Sequence, residues 1–298
     1  MGRAFADAYA SSRAVFDEAD AALGEPLSRT CFDGPAEALA RTEVTQPALL
    51  TASVAALHAL RDMGMPAPAA GAGHSLGEYS AHVAAGTLPF ADAVRAVRAR
   101  GRFMQEAVPA GQGAMVAVIG LSADEVAAAC ASASEDGGVA APANFNAPGQ
   151  VVIAGHAQTV ARAVERARAL GARKVVPLAV SAPFHCSLMA PAAQRLRPVL
   201  DAIAFRDPAF PVYSNVTAAR LDEAEAARDA LVEQVTAPVR WAESIERMVA
   251  DGTSTFVEVG PGRVLNGLVR RIAPQSAVLS VSDPASAEAA LRALEAAS

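Results

Sequence analysis

Lysine is almost absent: of the 25 basic residues, all but Lys174 are arginine, a bias read as coding preference rather than mechanism. Cysteine is scarce too. Cys31, Cys130 and Cys186 lie far apart and are odd in number, so they offer neither a disulfide frame nor a Cys-x-x-Cys metal pair, and they suit a reducing cytoplasm. There is no basic excess. The net charge is −6 over 298 residues, which argues against a protein built to coat nucleic acid. No uncharged apolar run reaches the ~18–20 residues needed to cross a bilayer. The first twenty residues carry Arg3 but lack the apolar core of a secretory signal, so no membrane is expected and a cytoplasmic location is. What the chain does have is 52% hydrophobic against 19% charged residues, enough to bury one large core or two modest ones.

The order of elements points to an α/β fold. Residues 1–20 place Phe5, Ala8, Tyr9 and Phe16 on one side and Asp7, Arg13, Asp17 and Glu18 on the other, the pattern of an amphipathic helix. Helices are also expected over 42–64, from about Glu78 to Ala85, and over 90–106. The rhythm then changes. Strands at 114–120, 139–144, 150–154 and 174–180 surround helices that start at a Ser122–Glu125 capping box and at Thr159. That βαββαβ order over about 70 residues predicts a ferredoxin-like small domain at 111–185, inserted into a larger α/β domain made of 1–110 and 186–298. The larger domain contributes strands at 212–215 and 256–259 alternating with helices at 188–203, 222–235, 263–272 and 285–296, which implies a mostly parallel sheet. Gly260-Pro261-Gly262-Arg263 fits neither phosphate-binding glycine motif and reads as a tight strand-to-helix connection.

The strongest chemical signal is Gly73-His74-Ser75-Leu76-Gly77. A G-x-S-x-G pattern holds a serine on a sharp strand-to-helix turn, with its hydroxyl at a helix N-terminus and the following amide, here Leu76, aimed where an oxyanion forms. The preceding residues 66–72 are poor strand formers, and a chance Gly/Ser loop stands as the plain alternative. A nucleophilic serine needs a base. His74 adjoins it with its ring expected to point away, His58 and His82 read as satisfied helix histidines, and His156 ends a small-domain strand. His185 sits in a loop returning to the large domain, where catalytic groups tend to be carried; an ordinary loop histidine is its bland alternative. Cys186 is no nucleophile, since adjacent side chains diverge. On the 90–106 helix, Arg95, Arg98 and Arg102 share a solvated face. Arg100 lies about 200° from Arg98 and joins Ala93, Val97, Phe103 and Met104 on the core side. A core-facing guanidinium needs a partner, either a structural carboxylate or the carboxylate of a substrate.

These segments have a family likeness. GHSLGEYSA (73–81), TQPALLTASVAAL (45–57), RGRFMQEAVP (100–109), NFNAPGQVVIAG (144–155), SAPFHCSLM (181–189) and EVGPGRVLNGL (258–268) together closely resemble bacterial malonyl-CoA:acyl carrier protein transacylase, in order and over essentially the whole chain. The resemblance implies an α/β-hydrolase-like core. It implies malonyl transfer from malonyl-CoA to the phosphopantetheine thiol of acyl carrier protein, through a malonyl-serine, in support of fatty acid elongation. Ser75 would be the nucleophile, His185 its base, and Arg100 the clamp on the malonyl carboxylate. Gln234 would supply the carbonyl that orients the histidine, and Phe184 would crowd out a 2-methyl group. No metal or cofactor is expected, and a monomer is.

The family normally opens with an apolar strand and a Gly-Gln-Gly-Ser-Gln loop whose first glutamine amide lies at the oxyanion hole. This sequence starts within the next helix. The expectation is that Met1 is internal to a longer natural chain, and that this form lacks an oxyanion donor worth ~10²–10³ in rate. Two rivals follow. A serine esterase of the α/β-hydrolase type would draw its acid from Asp124, Glu135 or Glu165. An inactive carrier-protein-binding remnant would show binding without an acyl-serine.

Overall fold

The computed structural model describes residues 1–135, 137–180 and 182–297. In chain order the helices are α1 (Arg3–Ala8), α2 (Ala10–Leu23), α3 (Leu27–Asp33), α4 (Ala36–Leu39), α5 (Thr42–Asp62), α6 (Leu76–Ala84), α7 (Phe90–Glu106), α8 (Ala123–Ala133), α9 (Ala157–Ala169), α10 (Ala190–Asp201), α11 (Ala224–Glu233), α12 (Trp241–Ala250), α13 (Val264–Ile272) and α14 (Pro284–Ala297). The strands are β1 (Gly71–Ala72), β2 (Gly113–Ile119), β3 (Ala140–Ala147), β4 (Gln150–His156), β5 (Lys174–Pro177), β6 (Val212–Tyr213), β7 (Arg220–Leu221), β8 (Thr255–Val259) and β9 (Ala277–Val281). No helix among the described residues is long and apolar enough to cross a membrane.

The middle of the chain folds where its alternation places it. β2, α8, β3, β4, α9 and β5 follow one another, and the four strands form one antiparallel sheet in the order β3-β4-β2-β5. Period-two patterning divides the sheet's two faces. Val116 and Val118 turn toward α8 and α9 and pack with Val126, Cys130, Val160 and Ala163. Met115 and Ala117 turn the other way, onto Cys186 with Phe184 and Leu188. That second face buttresses the loop holding His185. The capping box is present: Ser122 Oγ accepts from the Glu125 N–H at 3.3 Å, and Glu125 Oε2 accepts from the Ser122 N–H at 2.8 Å. β3 is also tied to the segment that follows α11, through Phe145 N–H to Val239 O and Val239 N–H to Ala143 O, both 2.9 Å.

The remainder differs from the expected single, mostly parallel sheet. Among the described residues its strands form two short pieces. β6 pairs in parallel with β1 and antiparallel with β7, while β8 and β9 make a separate parallel pair of five residues. β1 is only two residues long because Pro66, Pro68 and the Ala/Gly run around them supply neither amide donors nor branched side chains to a ladder. Helices do most of the packing, with α2, α5, α7 and α10 sharing the largest apolar cluster, including Phe16, Leu50, Val97, Met104 and Leu196. Sequence reading passed over α3, α4, α12, β7 and β9. It also started α6 two residues late, because Ser75 itself is the residue before its first turn.

Candidate active site

β1 ends at Ala72 and α6 begins at Leu76, so only three residues make the turn. Ser75 therefore adopts φ 51° and ψ −108°, strained for a residue with a side chain. Gly73 makes the turn possible: a Cβ there would lie 1.9 Å from the carbonyl carbon and oxygen of Gly77. Gly77 itself faces open space, so the motif's two glycines have different reasons to be there. Asn215, just past β6, braces the turn from both sides. Its Oδ1 accepts from the Ser75 N–H at 2.6 Å, and its Nδ2 donates to Gly73 O at 2.7 Å. The Gly77 and Glu78 amides are taken by His74 O and Ser75 O, while the Leu76 amide, first in α6, meets no partner among the described residues.

His185 lies in the loop between β5 and α10, and it too has a positive φ, 58°. Its Nδ1 is 2.8 Å from the Gln234 backbone carbonyl, and its Nε2 is 2.7 Å from Ser75 Oγ. A carbonyl only accepts, so the proton belongs on Nδ1 and Nε2 is free to accept from the serine hydroxyl. Burial first, and the Arg100 charge second, push the His185 pKa down to about 3. The imidazole is neutral at physiological pH, as a base must be before it acts.

Arg100 reaches the same hydroxyl from α7 with 1% of its surface exposed. One guanidinium nitrogen donates to Gln46 Oε1 at 2.7 Å; the other donates to Gln234 Oε1 at 2.8 Å and to Ser75 Oγ at 3.1 Å. The head lies over the Tyr79 ring. Gly101 lets α7 come this close to α5, since a Cβ would meet Glu43 Cα and Thr42 O at 2.7 Å. Arg95 and Arg102 are exposed and Arg98 is half-buried, as the helical arithmetic requires. The direct ion pair that the structural alternative for Arg100 calls for is not there: no carboxylate pairs with it among the described residues, and its Nε is buried without a partner.

The structure thus brings together Ser75, His185, Arg100 and Gln234, with half-buried Phe184 beside the histidine and the Leu76 amide at the turn. Other candidates fall elsewhere. His74 turns its ring away from the hydroxyl onto Asn146 Oδ1 at 2.8 Å and against Trp241. His156 Nδ1 accepts from the Val139 N–H, a structural contact. Cys186 is buried, its Sγ donating to Pro183 O and its pKa pushed up to about 11 by burial. His82 differs from the expectation of a satisfied histidine, because neither ring nitrogen has a partner among the described residues. Sequence reasoning passed over Gln46, Glu78 and Asn215. Glu78 could have been flagged, since it lies three residues after Ser75 and so on the same face of the helix as the nucleophile.

Comparison with known proteins gives this geometry its context. Residues 1–290 match the family model described as the acyl transferase domain. Malonyl CoA-acyl carrier protein transacylase of Escherichia coli is 51% identical over 286 residues, covering 96% of this chain and 92% of that protein. A crystal structure of an acyl carrier protein S-malonyltransferase from Vibrio cholerae superposes with a TM-score of 0.95 at 46% identity, covering 97% of this chain and 94% of that one. A malonyl-transacylase solved in complex with a type II PKS acyl-carrier protein also gives 0.95 at 46% identity, covering 98% and 94%. The chain therefore belongs to the acyl transferase domain family and, within it, to the malonyl CoA-acyl carrier protein transacylases.

Proposed function

We propose that this chain moves the malonyl group from malonyl-CoA to the pantetheine thiol of acyl carrier protein, by way of a malonyl ester on Ser75, supplying malonyl units to fatty acid elongation. One observation supports this above the rest: a buried guanidinium without a carboxylate partner and a neutral imidazole meet at the same serine hydroxyl. The serine–imidazole pair suits acyl transfer, and Arg100, which has no direct ion pair among the described residues, suits an acyl group that bears a carboxylate.

In this reading His185 Nε2 takes the Ser75 proton as Oγ attacks the thioester carbonyl. The carbonyl oxygen gains charge against the Leu76 amide, and the proton passes to the departing CoA sulfur. The Gln234 carbonyl holds the ring in the required tautomer, in the role an aspartate fills elsewhere. Carrier-protein thiol then attacks the malonyl-serine by the same steps in reverse. Phe184 narrows the space beside the base against a branched acyl group. The sequence of steps uses neither metal nor cofactor. The βαββαβ segment at 111–185 is an inserted ferredoxin-like domain that supports the His185 loop, and the rest is the α/β-hydrolase-like catalytic part. An esterase is less well supported, because the histidine's partner is a carbonyl and Arg100 has no use in a neutral ester pocket.

Intact-protein mass spectrometry after brief exposure to malonyl-CoA tests the proposal. A single malonyl adduct is expected on the wild type and none on Ser75→Ala. An adduct that persists in the variant, or no adduct on the folded wild-type chain, overturns it.

A further inference from the structure

The charge of Arg100 has an indirect counterpart. Gln234 accepts from the guanidinium through Oε1, and its amide nitrogen donates to Glu78 Oε2 at 2.6 Å and to Ser75 O at 2.9 Å. The second carboxyl oxygen, Glu78 Oε1, accepts from the Asn215 N–H at 3.3 Å. Glu78 has no exposed surface. It is thus a carboxylate sealed in the first turn of α6, one amide away from the substrate-facing arginine and hydrogen-bonded to both residues that hold the nucleophile turn and the base. The charged or titratable groups that interact with it are Arg100 from α7 and Tyr79 from its own helix; His185, from the loop after β5, feels Arg100 and His74, and His82 follows on α6. Gln46 from α5, Asn215 after β6 and Gln234 at the end of α11 are neutral.

This arrangement balances one positive against one negative charge while the site is empty. A malonyl carboxylate on Arg100 adds a second negative charge to a volume that water does not screen, and unscreened like charges raise the cost of ionising either one. We propose that Glu78 is a positioning residue that balances the charge on Arg100 through Gln234, and that it takes up a proton from solvent when a substrate carboxylate occupies Arg100. Glu78 would then stay hydrogen-bonded to Gln234 in both states while the buried charge remains near zero. Burial already lifts its pKa to about 7, against the lowering effects of Gln234, Asn215 and Arg100, so a modest further rise moves a proton near neutrality.

The proposal rests on the acyl-transfer reading of Ser75 and Arg100, and its test separates the two. Formation of malonyl-serine releases CoA as the thiol, so below the thiol's own titration range the chemistry itself neither takes up nor releases a proton. A pH indicator in a single-turnover reaction, with the acyl-enzyme counted by mass spectrometry, gives protons per malonyl-serine formed. The wild-type count should rise from near zero at about pH 6, where Glu78 is already neutral, to a large fraction of one proton near about pH 7.5. Acetyl-CoA, whose acyl group brings no carboxylate, should give a count near zero on the same protein. Glu78→Gln should remove the uptake and flatten the pH dependence of KM for malonyl-CoA. A purely structural role would lower kcat and leave the proton count unchanged. No uptake by the wild type despite stoichiometric malonyl-serine overturns the proposal, and so does uptake that persists in Glu78→Gln. Failure to form malonyl-serine at all instead overturns the functional reading.

Discussion

The two ends of α6 both bury polar side chains, and they do so in opposite ways. In the first turn Glu78 accepts from the Asn215 amide and from Gln234, and these two residues in turn hold Ser75, Gly73, His185 and Arg100. One turn later His82 is equally buried, yet neither ring nitrogen finds a partner among the described residues, and Thr87 Oγ1 beside it has none either. A buried network fixes geometry only when its donors and acceptors answer one another. The first turn meets that condition, so each amide there has one allowed orientation. The last turn does not, and nothing sets the tautomer of its imidazole. Burial of polar groups therefore marks the site less well than their connection does.

The sharpest way to break the first turn is at Gly73. In Gly73→Ala the new Cβ would lie within 1.9 Å of Gly77 and 2.4 Å of the Glu78 nitrogen, and backbone on both sides leaves little room to yield. The expected result is loss of acyl-enzyme together with destabilisation of about 3 kcal/mol or more, the upper range for overpacking. Gly77→Ala, two residues into the same helix, serves as the comparison. Its Cβ enters open space, and alanine favours a helix over glycine by up to about 1 kcal/mol, so its melting temperature should hold or rise. Equal losses in the two variants would show that the turn is not held by this close approach.

Arg100→Ala keeps the turn and removes the charge. Truncating one partner of a buried charged pair costs roughly 2–5 kcal/mol, so kcat/KM for malonyl-CoA should fall about 10²–10³-fold. Hydrolysis of a neutral acyl ester should be retained or improved, because His185 loses the charge that helps hold its basicity down. If both activities fall together, Arg100 supports the structure and not the substrate carboxylate.

These contrasts follow what the sequence could and could not reveal. G-x-S-x-G marks its own turn, because few residue types tolerate that backbone. Arg100 stood out because a cation on the apolar side of an otherwise regular amphipathic helix conflicts with the pattern. The four-stranded sheet was legible from its alternation and from a capping box three residues wide. β1 was not, since two residues of Gly-Ala carry no strand signal and pair only because β6 lies alongside. Gln46, Asn215 and Glu78 were missed for a related reason. Each is an ordinary polar residue on its own element, and its role comes from contacts across 54 to 156 residues of chain, which local periodicity does not record.

The smallest expected effect belongs to the far end of α6, and it appears only in acid. Burial lowers the His82 pKa to about 4, below the 6.5 of an exposed imidazole, so between these values the unfolded chain binds a proton that the folded one refuses. Stability is unaffected above about pH 6.5 and falls as the pH drops toward 4, with His82 accounting for roughly 2 kcal/mol at about pH 5. His185 carries a penalty of the same sign, and Glu78, whose pKa is raised, carries one of the opposite sign; both remain when His82 is replaced. His82→Leu removes a buried ring without hydrogen bonds and substitutes an apolar group, a change expected to be near neutral or stabilising at about pH 7.5. Melting curves of the wild type and the variant should therefore run close together at neutral pH and separate in favour of His82→Leu as the pH falls. Parallel curves across that range would mean that His82 is protonated as readily in the folded chain as in the unfolded one. The contrast between the paired and unpaired ends of α6 would then fail.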